Sequence, residues 1–381
     1  MANTLETLQV LSRDAGIYLS DDLVVGALIN REHEQKFTTS SGGDVDVTVV
    51  ANDTATEVDL DSDAASQVTA SAISETKVRI PAKNFISVVK EVNTDEMTYD
   101  INSFSEKVVR PAMMGLAEKV EARMIHNIAG GFAQNVAGTA GTSPAVQADI
   151  TASRKVLRDN KCDMRNLVGL IGSQAEANFL GLDLFTSRDY GEENALAIRE
   201  ASLGRKLGID WYVSNVAGGS LPSGDTAGTV LVKGASQTGT SIIVDGFTSA
   251  TGKVKAGTRL TFAADATVYV VAQDAVIAGN EATLVLSAAK AVAAADNAAV
   301  TFETQVTEDV IFNPRAAAGA IIAPAPLAVN SAVELVNGLS VRVSLATEIN
   351  PSSGTPKSVI RYDVFVGAKV IKPEYGVIMQ S

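Results

Sequence analysis

A chain of 381 residues with 44 acidic against 31 basic side chains is long enough for two or three domains, and its net charge of −13 repels nucleic acid on average, so any contact with DNA is local. Aromatic residues are only 5% of the chain, which favours short β segments and small-residue packing over a deep aromatic ligand pocket. The single cysteine, Cys162, excludes an internal disulfide framework and a cysteine-built zinc site, and reads as an inert, partly buried thiol. The first residues show no basic region followed by an apolar run, and no segment approaches the ~18 apolar residues of a membrane span, so the expected setting is a cytoplasm-like compartment.

Leu5 to Leu11 and Asp21 to Lys36 read as two short amphipathic helices, the second capped by Ser20. Two helices ahead of any strand predict an arm. From Phe37 to Ser74 the pattern alternates around a polar middle, with Val45, Val47 and Val49, then Val58 and Leu60. No Lys or Arg occurs between Lys36 and Lys77. A stretch this acidic cannot bury both faces, so it predicts an extended β-hairpin or loop projecting from the body. Two β-rich runs around Pro81 follow within KVRIPAKNFISVVKEV, Lys77 to Val92.

The longest uninterrupted helical pattern is SFSEKVVRPAMMGLAEKVEARMIHNIAGG, Ser103 to Gly131. Ser103 and Glu106 have the spacing of a capping box, and Gly130 and Gly131 supply the stop. Val109, Met113, Leu116, Val120, Met124 and Ile128 place one apolar stripe along a helix of roughly 25 residues, about 40 Å long. Pro111 predicts a kink or a true start nearby. Glu106, Lys107, Arg110, Glu118, Lys119, Glu121 and Arg123 form the opposite face, either solvated or the back of a strut across a thin subunit.

A small-residue linker to Pro144 then precedes a helix ending near Asp159, a buried strand from Leu167 to Ser173, a helix from Ser173 to Leu180 and a strand from Ile209 to Val216. From Asp225 to Glu303 the tone is all-β: TVLVKG, TSIIVDG, RLTFAA, TVYVVA and ATLVLS recur at the ~8–12-residue spacing of a small barrel or sandwich. Only the Ala-rich AAKAVAAAD has a helical period there. Loop-like sequence at both ends marks this stretch as an insertion in a host domain. The host resumes with VIFNPRAAAGAIIAPAPLA and closes with alternating strands, Leu339 to Leu345 and Val359 to Gly376, around the turn INPSSGTPK.

No catalytic, cofactor or metal site emerges. Asp59, Asp61 and Asp63 imitate the start of a calcium loop, but the required Gly and bidentate Glu are replaced by Ala64 and Ala70. Gly246 to Val254, GFTSATGKV, has the wrong spacing for a phosphate loop and ends on an apolar residue. His33 and His126 are the only imidazoles, and no G-x-S-x-G elbow accompanies them.

Several stretches resemble one family. SVRVSLATEINPSSGTPKSVIRYDVFVGAKVIKPEYGVIM is similar to its closing strands, above all YDVFVGAKVIKPE with Gly367, Pro373 and Glu374. LFTSRDYGEENALAIREASLGRKLGIDWYVSNV, with Gly204 and Gly208, resembles its axis-forming domain; FNPRAAAGAIIAPAPL resembles the helix after its insert, and SATGKVKAGTRLTF a strand-turn-strand of that insert. With the order of elements, the chain resembles the major capsid protein of tailed double-stranded-DNA bacteriophages, the Hong Kong 97 fold, and within it the podovirus coat proteins that carry an inserted β-barrel.

The resemblance implies an α+β capsid fold: an N-terminal arm (1–36), an extended loop (37–76), a peripheral domain with the spine helix (77–131 and 339–381), an axial α/β domain (132–224 and 304–338) and an inserted all-β barrel-like domain (225–303). In finer detail it implies a spine helix from Ser103 to Ala129, a peripheral sheet from Lys83–Val92 with Ser340–Gly376, and an axial domain from Phe132–Leu221 with Val306–Leu335. It further implies self-association in pentamers and hexamers, a separate scaffolding protein, a portal protein, an optional decoration protein, and enclosure of double-stranded DNA without reading its sequence. Assembly would take place in the host bacterial cytoplasm, with no membrane partner and no enzymatic activity. Asp44, Asp46, Glu57, Asp59, Asp61 and Asp63 would reach a neighbouring copy, with Lys77, Arg79, Lys83 and Lys90 as basic counterparts in trans. The loop has no lysine to weld to a neighbour's asparagine, so no covalent cross-link is expected. The alternatives are an encapsulin-type compartment shell of the same fold and a β-rich surface adhesin, which requires an export signal.

Overall fold

The computed structural model describes residues 3–36, 43–50, 75–82, 84–93, 105–139, 141–186, 203–304, 306–326, 330–349 and 356–381. The chain opens with one continuous helix, α1 (Asn3–Asp22), then a single turn, α2 (Val25–Leu28), and a 3₁₀ turn at Glu34–Lys36. The expected pair of helices, 5–11 and 21–36, is thereby corrected. Gly16 does not break α1, because a Cβ there would meet the Val336 Cβ at 3.0 Å, and the missing side chain lets the helix lie on the sheet beneath. Leu8, Ala15 and Leu19 are buried in that contact, so these residues belong to the main core and not to a free arm. Ser20 caps nothing downstream; its hydroxyl donates back to the Ile17 carbonyl at 2.8 Å.

Strands β1 (Asp44–Val50) and β2 (Glu75–Pro81) form an antiparallel ribbon, which β3 (Asn84–Asn93) follows. Val58 and Leu60 lie outside the described residues. Helix α3 (Arg110–Gly131) starts after a wide π-type turn at Ser105–Val109. Pro111 stands in its first turn, next to the junction with the π-type turn, where the regular α-helical ladder begins. Ser103, the expected cap, lies outside the described residues. The predicted stripe of Val109, Met113, Leu116, Val120, Met124 and Ile128 is fully buried.

The central part runs β4 (Val136–Ala137), α4 (Gln147–Asp159), β5 (Leu167–Ile171), α5 (Ser173–Leu180), α6 (Asp183–Thr186), β6 (Arg205–Lys206) and β7 (Ile209–Val213). Next come β8 (Gly228–Val232), β9 (Gln237–Phe247), β10 (Thr251–Val254), β11 (Arg259–Phe262), β12 (Asp265–Val270), β13 (Ala275–Ala278), β14 (Glu281–Ala294) and β15 (Val300–Phe302). The chain finishes with β16 (Val310–Phe312), β17 (Ala317–Ile322), β18 (Ser331–Val336), β19 (Leu339–Ile349), β20 (Pro356–Val370) and β21 (Gly376–Met379).

These strands build three bodies. A five-stranded sheet in the order β17-β20-β19-β18, with β3 also on β20, packs Val341, Val343, Tyr362, Val364 and Val366 against α3. A six-stranded sheet, β4-β21-β16-β5-β7-β6, carries α4 and α5 and a core that includes Phe179, Phe185 and Trp211. Strands β8 to β15 form two sheets, β10-β13-β14-β9-β8 and β12-β11-β15, joined by bridges at Leu231–Ala299 and Val271–Leu286 around a core of their own.

Two stretches read as helical are strands. FNPRAAAGAIIAPAPL forms the end of β16, a 3₁₀ turn at Pro314–Ala316 and β17. Its alanines suit a helix by propensity, but β17 is buried along almost its whole length between β20 and Asn30, with Ala317, Ala318 and Ala320 at zero exposure. AAKAVAAAD continues β14, whose register shifts turn Lys290 inward. The Lys290 ammonium lies 4.8 Å from the Phe262 ring centre and 5.2 Å from that of Tyr269, and pairs with Asp265, whose carboxyl it holds well below the usual range. Residues 317–336, expected with the axial domain, pair instead into the five-stranded sheet, and residues 376–379, expected with the peripheral domain, pair with β16 and β4.

The barrel sits on the end of α3. Arg259 donates to the Ala133 carbonyl at 2.7 Å and to Glu303 at 2.9 Å, and a Cβ on Gly257 would lie 3.3 Å from the Gly130 Cα. At Gly367 the close approach is stricter, since a Cβ would lie 2.2 Å from the Pro81 carbonyl oxygen where the ribbon crosses β20. Gly367→Ala is therefore expected to destabilise the subunit by about 1–3 kcal/mol. Gly115→Ala, on the exposed face of α3 with nothing within 4 Å, should stabilise it by about 0.5–1 kcal/mol. Urea midpoints of the two variants measure both, and an unchanged midpoint for Gly367→Ala would show that the crossing is not tight.

Candidate inter-subunit surface

Of the residues singled out for contact between copies, the structure brings Asp46 and Arg79 together within one chain. They stand opposite each other in the ribbon register, with Arg79 Nε 2.9 Å from Asp46 Oδ1, and that hydrogen bond lowers the Asp46 carboxyl below its ordinary value. Both side chains are well exposed, so the pair is weak in water. Asp44 lies at the start of β1 opposite Pro81, Lys77 lies opposite Thr48, and Lys90 is exposed on β3. Glu57, Asp59, Asp61, Asp63 and Lys83 lie outside the described residues.

Behind this ribbon the body is tied together by buried polar groups. Glu121, expected on the wet face of α3, is only 5% exposed. Its carboxylate accepts the backbone N–H groups of Val24 and Val25, the latter at 3.1 Å, and the Ser214 hydroxyl at 3.0 Å. One side chain thus joins the spine helix, the start of α2 and the end of β7. His126, one turn further along, places Nδ1 3.3 Å from Glu308 Oε1. Next to it Asp309 is fully buried, which pushes its carboxyl up, and it accepts the Gly172 N–H at 2.8 Å and the Thr307 hydroxyl at 3.0 Å.

The outer face of the five-stranded sheet combines exposed apolar side chains with a buried charge cluster. Phe85 and Val89 on β3 are 42% and 54% exposed. Phe85 packs on Phe365 with ring centres 5.2 Å apart, and the Arg361 guanidinium sits 5.1 Å from the Phe85 centre. Arg361 also donates to Asp363 at 2.6 Å, while Arg342 holds the other Asp363 oxygen at 3.1 Å through Nε. Asp363 is fully buried between two arginines, so the cluster carries a net positive charge above an exposed aromatic edge. None of Phe85, Val89, Arg342, Arg361 or Asp363 was singled out from the sequence, although FISVVKEV, apolar at both parities, is the pattern of a strand with two greasy faces.

The arrangement is one of clamps and surfaces. Cys162 is buried, and burial with Asp163 and Glu374 nearby pushes its thiol up to about 11, away from reactivity. Among the described residues no group of three His, Cys, Asp or Glu could hold a metal ion, and no helix is long and apolar enough to cross a membrane.

No family model matches the chain, and no curated protein matches it. Solved structures do, along nearly the whole length. A chain from Mycobacterium phage Che8 is 18% identical with a TM-score of 0.51, covering 93% of this chain and 90% of that one. A chain from the capsid structure of the cyanophage P-SCSP1u is 13% identical with a TM-score of 0.48, covering 94% and 88%. One from a Pyrococcus furiosus virus-like particle is 9% identical with a TM-score of 0.43, covering 98% and 99%. At such identities the likeness is one of fold. The phage structures that the chain matches are capsid chains, and the Che8 chain shares its overall fold over about nine-tenths of both chains. The chain has the mixed α and β fold of a tailed-phage major capsid protein.

Proposed function

We propose that this chain is the major capsid protein of a tailed bacteriophage, a structural subunit that assembles with copies of itself into the icosahedral shell around double-stranded DNA. The observation that carries the reading is the match to the Che8 chain across 93% of this sequence. What the geometry adds is a subunit whose buried clamps keep its bodies in fixed relation and whose exposed ribbon and sheet edge are free to meet other copies. Pentamers and hexamers of the chain, a separate scaffolding protein, a portal protein and an optional decoration protein are the partners of this reading, with assembly in the host cytoplasm. In this reading residues 225–303 are the inserted β domain, and the separate core of β8 to β15 supports a podovirus-type subunit. Asp44 and Asp46, with Glu57, Asp59, Asp61 and Asp63, are the acidic side of the contact between copies, and Lys77, Arg79, Lys83 and Lys90 the basic side.

Three measurements test it. Co-expressed with its candidate scaffold, the protein should give closed shells tens of nanometres across by sedimentation velocity and negative-stain microscopy; a single small species under every condition would overturn the reading. Mature particles boiled in detergent should release monomers only, since no lysine lies between Lys36 and Lys77 to weld the loop to a neighbour, and a covalent ladder would contradict this. Residues 225–303 expressed alone should give a soluble monomer with a β-type circular dichroism spectrum, whereas a helical or disordered spectrum would show that the boundaries are misplaced.

A further inference from the structure

The joint between the barrel and the rest of the subunit is not closed. Arg259 ties the barrel to the Ala133 carbonyl, and Gln134 Nε2 donates to the Ser287 hydroxyl of β14. Gln134 and Ser287 also line a cavity of about 390 Å³, walled by the last turns of α3, by Ala256, Gly257 and Val270 to Ala272 of the barrel, and by Ala368 to Val370 at the end of β20. A cleft at a junction between bodies, apolar over much of its wall with a few polar groups converging on it, has the build of a small-molecule site, for which about 300–1,000 Å³ is usual.

Its charge sets it against the balance of the chain, which has 44 acidic and 31 basic side chains. Arg123, His126 and Lys369 line the cavity, and among the described residues no Asp or Glu does. By contrast, the cavity between α1, α3 and β7 is lined by Asp22, Glu118 and Glu121 without a basic side chain, and the one beside Asn30 sets Glu32 against Arg315. The carboxylates that touch or adjoin the lining residues are engaged or wet. Glu308 meets His126 Nδ1 at 3.3 Å, which leaves Nε2 as the ring nitrogen for a ligand. Asp274 accepts the Ala256 N–H at 3.1 Å and pairs with Lys255 at 3.3 Å, and Glu374, next to Pro373, is exposed. Arg123 donates to the Asn84 amide oxygen at 3.4 Å, a neutral partner that leaves the positive charge in place. The carbonyls of Ile128, Ala129 and Gly130, at the negative end of α3, are taken up by the N–H groups of Phe132 and Ala133, which blunts their repulsion of an anion. Two cationic side chains and an imidazole suit a phosphate dianion better than a lone carboxylate.

We propose that this joint binds a small organic phosphate, its phosphate group held by Arg123, His126 and Lys369 and its organic part laid on Val270, Ala272 and Val370, so that one ligand bridges the spine helix, the five-stranded sheet and the barrel. Phenyl phosphate is the probe, titrated into the free full-length subunit by isothermal titration calorimetry with chloride holding the ionic strength constant. One molecule should bind per subunit, and inorganic phosphate should displace it. The Arg123→Gln, Lys369→Gln double variant should keep the wild-type circular dichroism spectrum and urea midpoint in chloride and lose roughly tenfold or more in affinity. The Lys155→Gln, Arg158→Gln double variant, which removes two exposed cations from α4, should bind as the wild type does. In the wild type, amides of residues 270–272 and 368–370 should exchange with deuterium roughly threefold or more slowly once phenyl phosphate is bound. No saturable binding by the wild type, an equal loss of affinity in both double variants, or unchanged exchange at those amides would each overturn the site. The free subunit suffices for every step, so the outcome does not depend on whether the chain assembles into shells.

Discussion

Helix α3 can bury its apolar stripe only if something covers it along its whole length, and most of the subunit follows from how that is done. Met113, Leu116, Val120, Met124 and Ile128 are all at zero exposure, and each such side chain is worth about 1.5–3 kcal/mol when removed from water. The cover comes from far apart in sequence: Leu8 to Leu19 of α1, Val341 and Val343 of β19, Ile360 to Val366 of β20, and Leu221 and Val306 at the two ends of the inserted segment. A helix wrapped by residues 8–19 and by β19 and β20 draws segments from far apart in the chain into one body. That is why α1 behaves as part of the core.

Apolar packing alone does not fix the angles between the bodies, and the buried carboxylates supply what it lacks. Glu121 gathers two backbone donors and a hydroxyl from two other elements, and a buried carboxylate with several donors is costly to strand. Glu308 and Asp309 do the same where the chain leaves the barrel and re-enters the six-stranded sheet, with His126, Gly172 and Thr307 as partners. Arg259 reaches from the barrel to the carbonyl of Ala133, just past the end of α3. The three bodies therefore meet on α3, which is tied by hydrogen bonds to the start of α2, the end of β7, the segment after the insert and the insert itself.

Much of this was legible in the residues wherever local pattern and tertiary role agree. The α3 stripe, the helix at Ser173–Leu180 and the run of short strands from 228 to 302 follow from periodicity and turn residues. Local pattern failed where tertiary packing reversed it. The break expected between residues 11 and 21 does not occur, because Gly16 is a contact surface for Val336, and the alanines of β17, in a stretch that resembles a helix of the family, pack as a strand beside Asn30. Glu121 reads as solvent-facing because nothing within its own helix says that Val24, Val25 and Ser214 will arrive. Its neighbours in space are about a hundred residues away, and a single sequence carries no trace of such distant partners. The cluster of Phe85, Arg361 and Asp363 stayed hidden for the same reason, since β3 and β20 are separated by most of the chain.

The Asp46–Arg79 pair bears on whether charges proposed to act between copies are already spent within one. An exposed ion pair is worth about 0–1 kcal/mol, because water and salt offer both groups nearly equal company. Exchanging such a partner for one on a neighbouring copy costs little, and a contact that also excludes water from Phe85 and Val89 would strengthen whichever pairing it encloses. An exposed cis pair therefore leaves both groups open to other partners. By contrast, Lys290 with Asp265 and Arg342 with Asp363 are enclosed within the subunit, where giving up a partner would leave a charge out of water. The enclosed pairs thus hold the subunit together, whereas the pair on the ribbon is one of several exposed pairs that exchange partners at little cost.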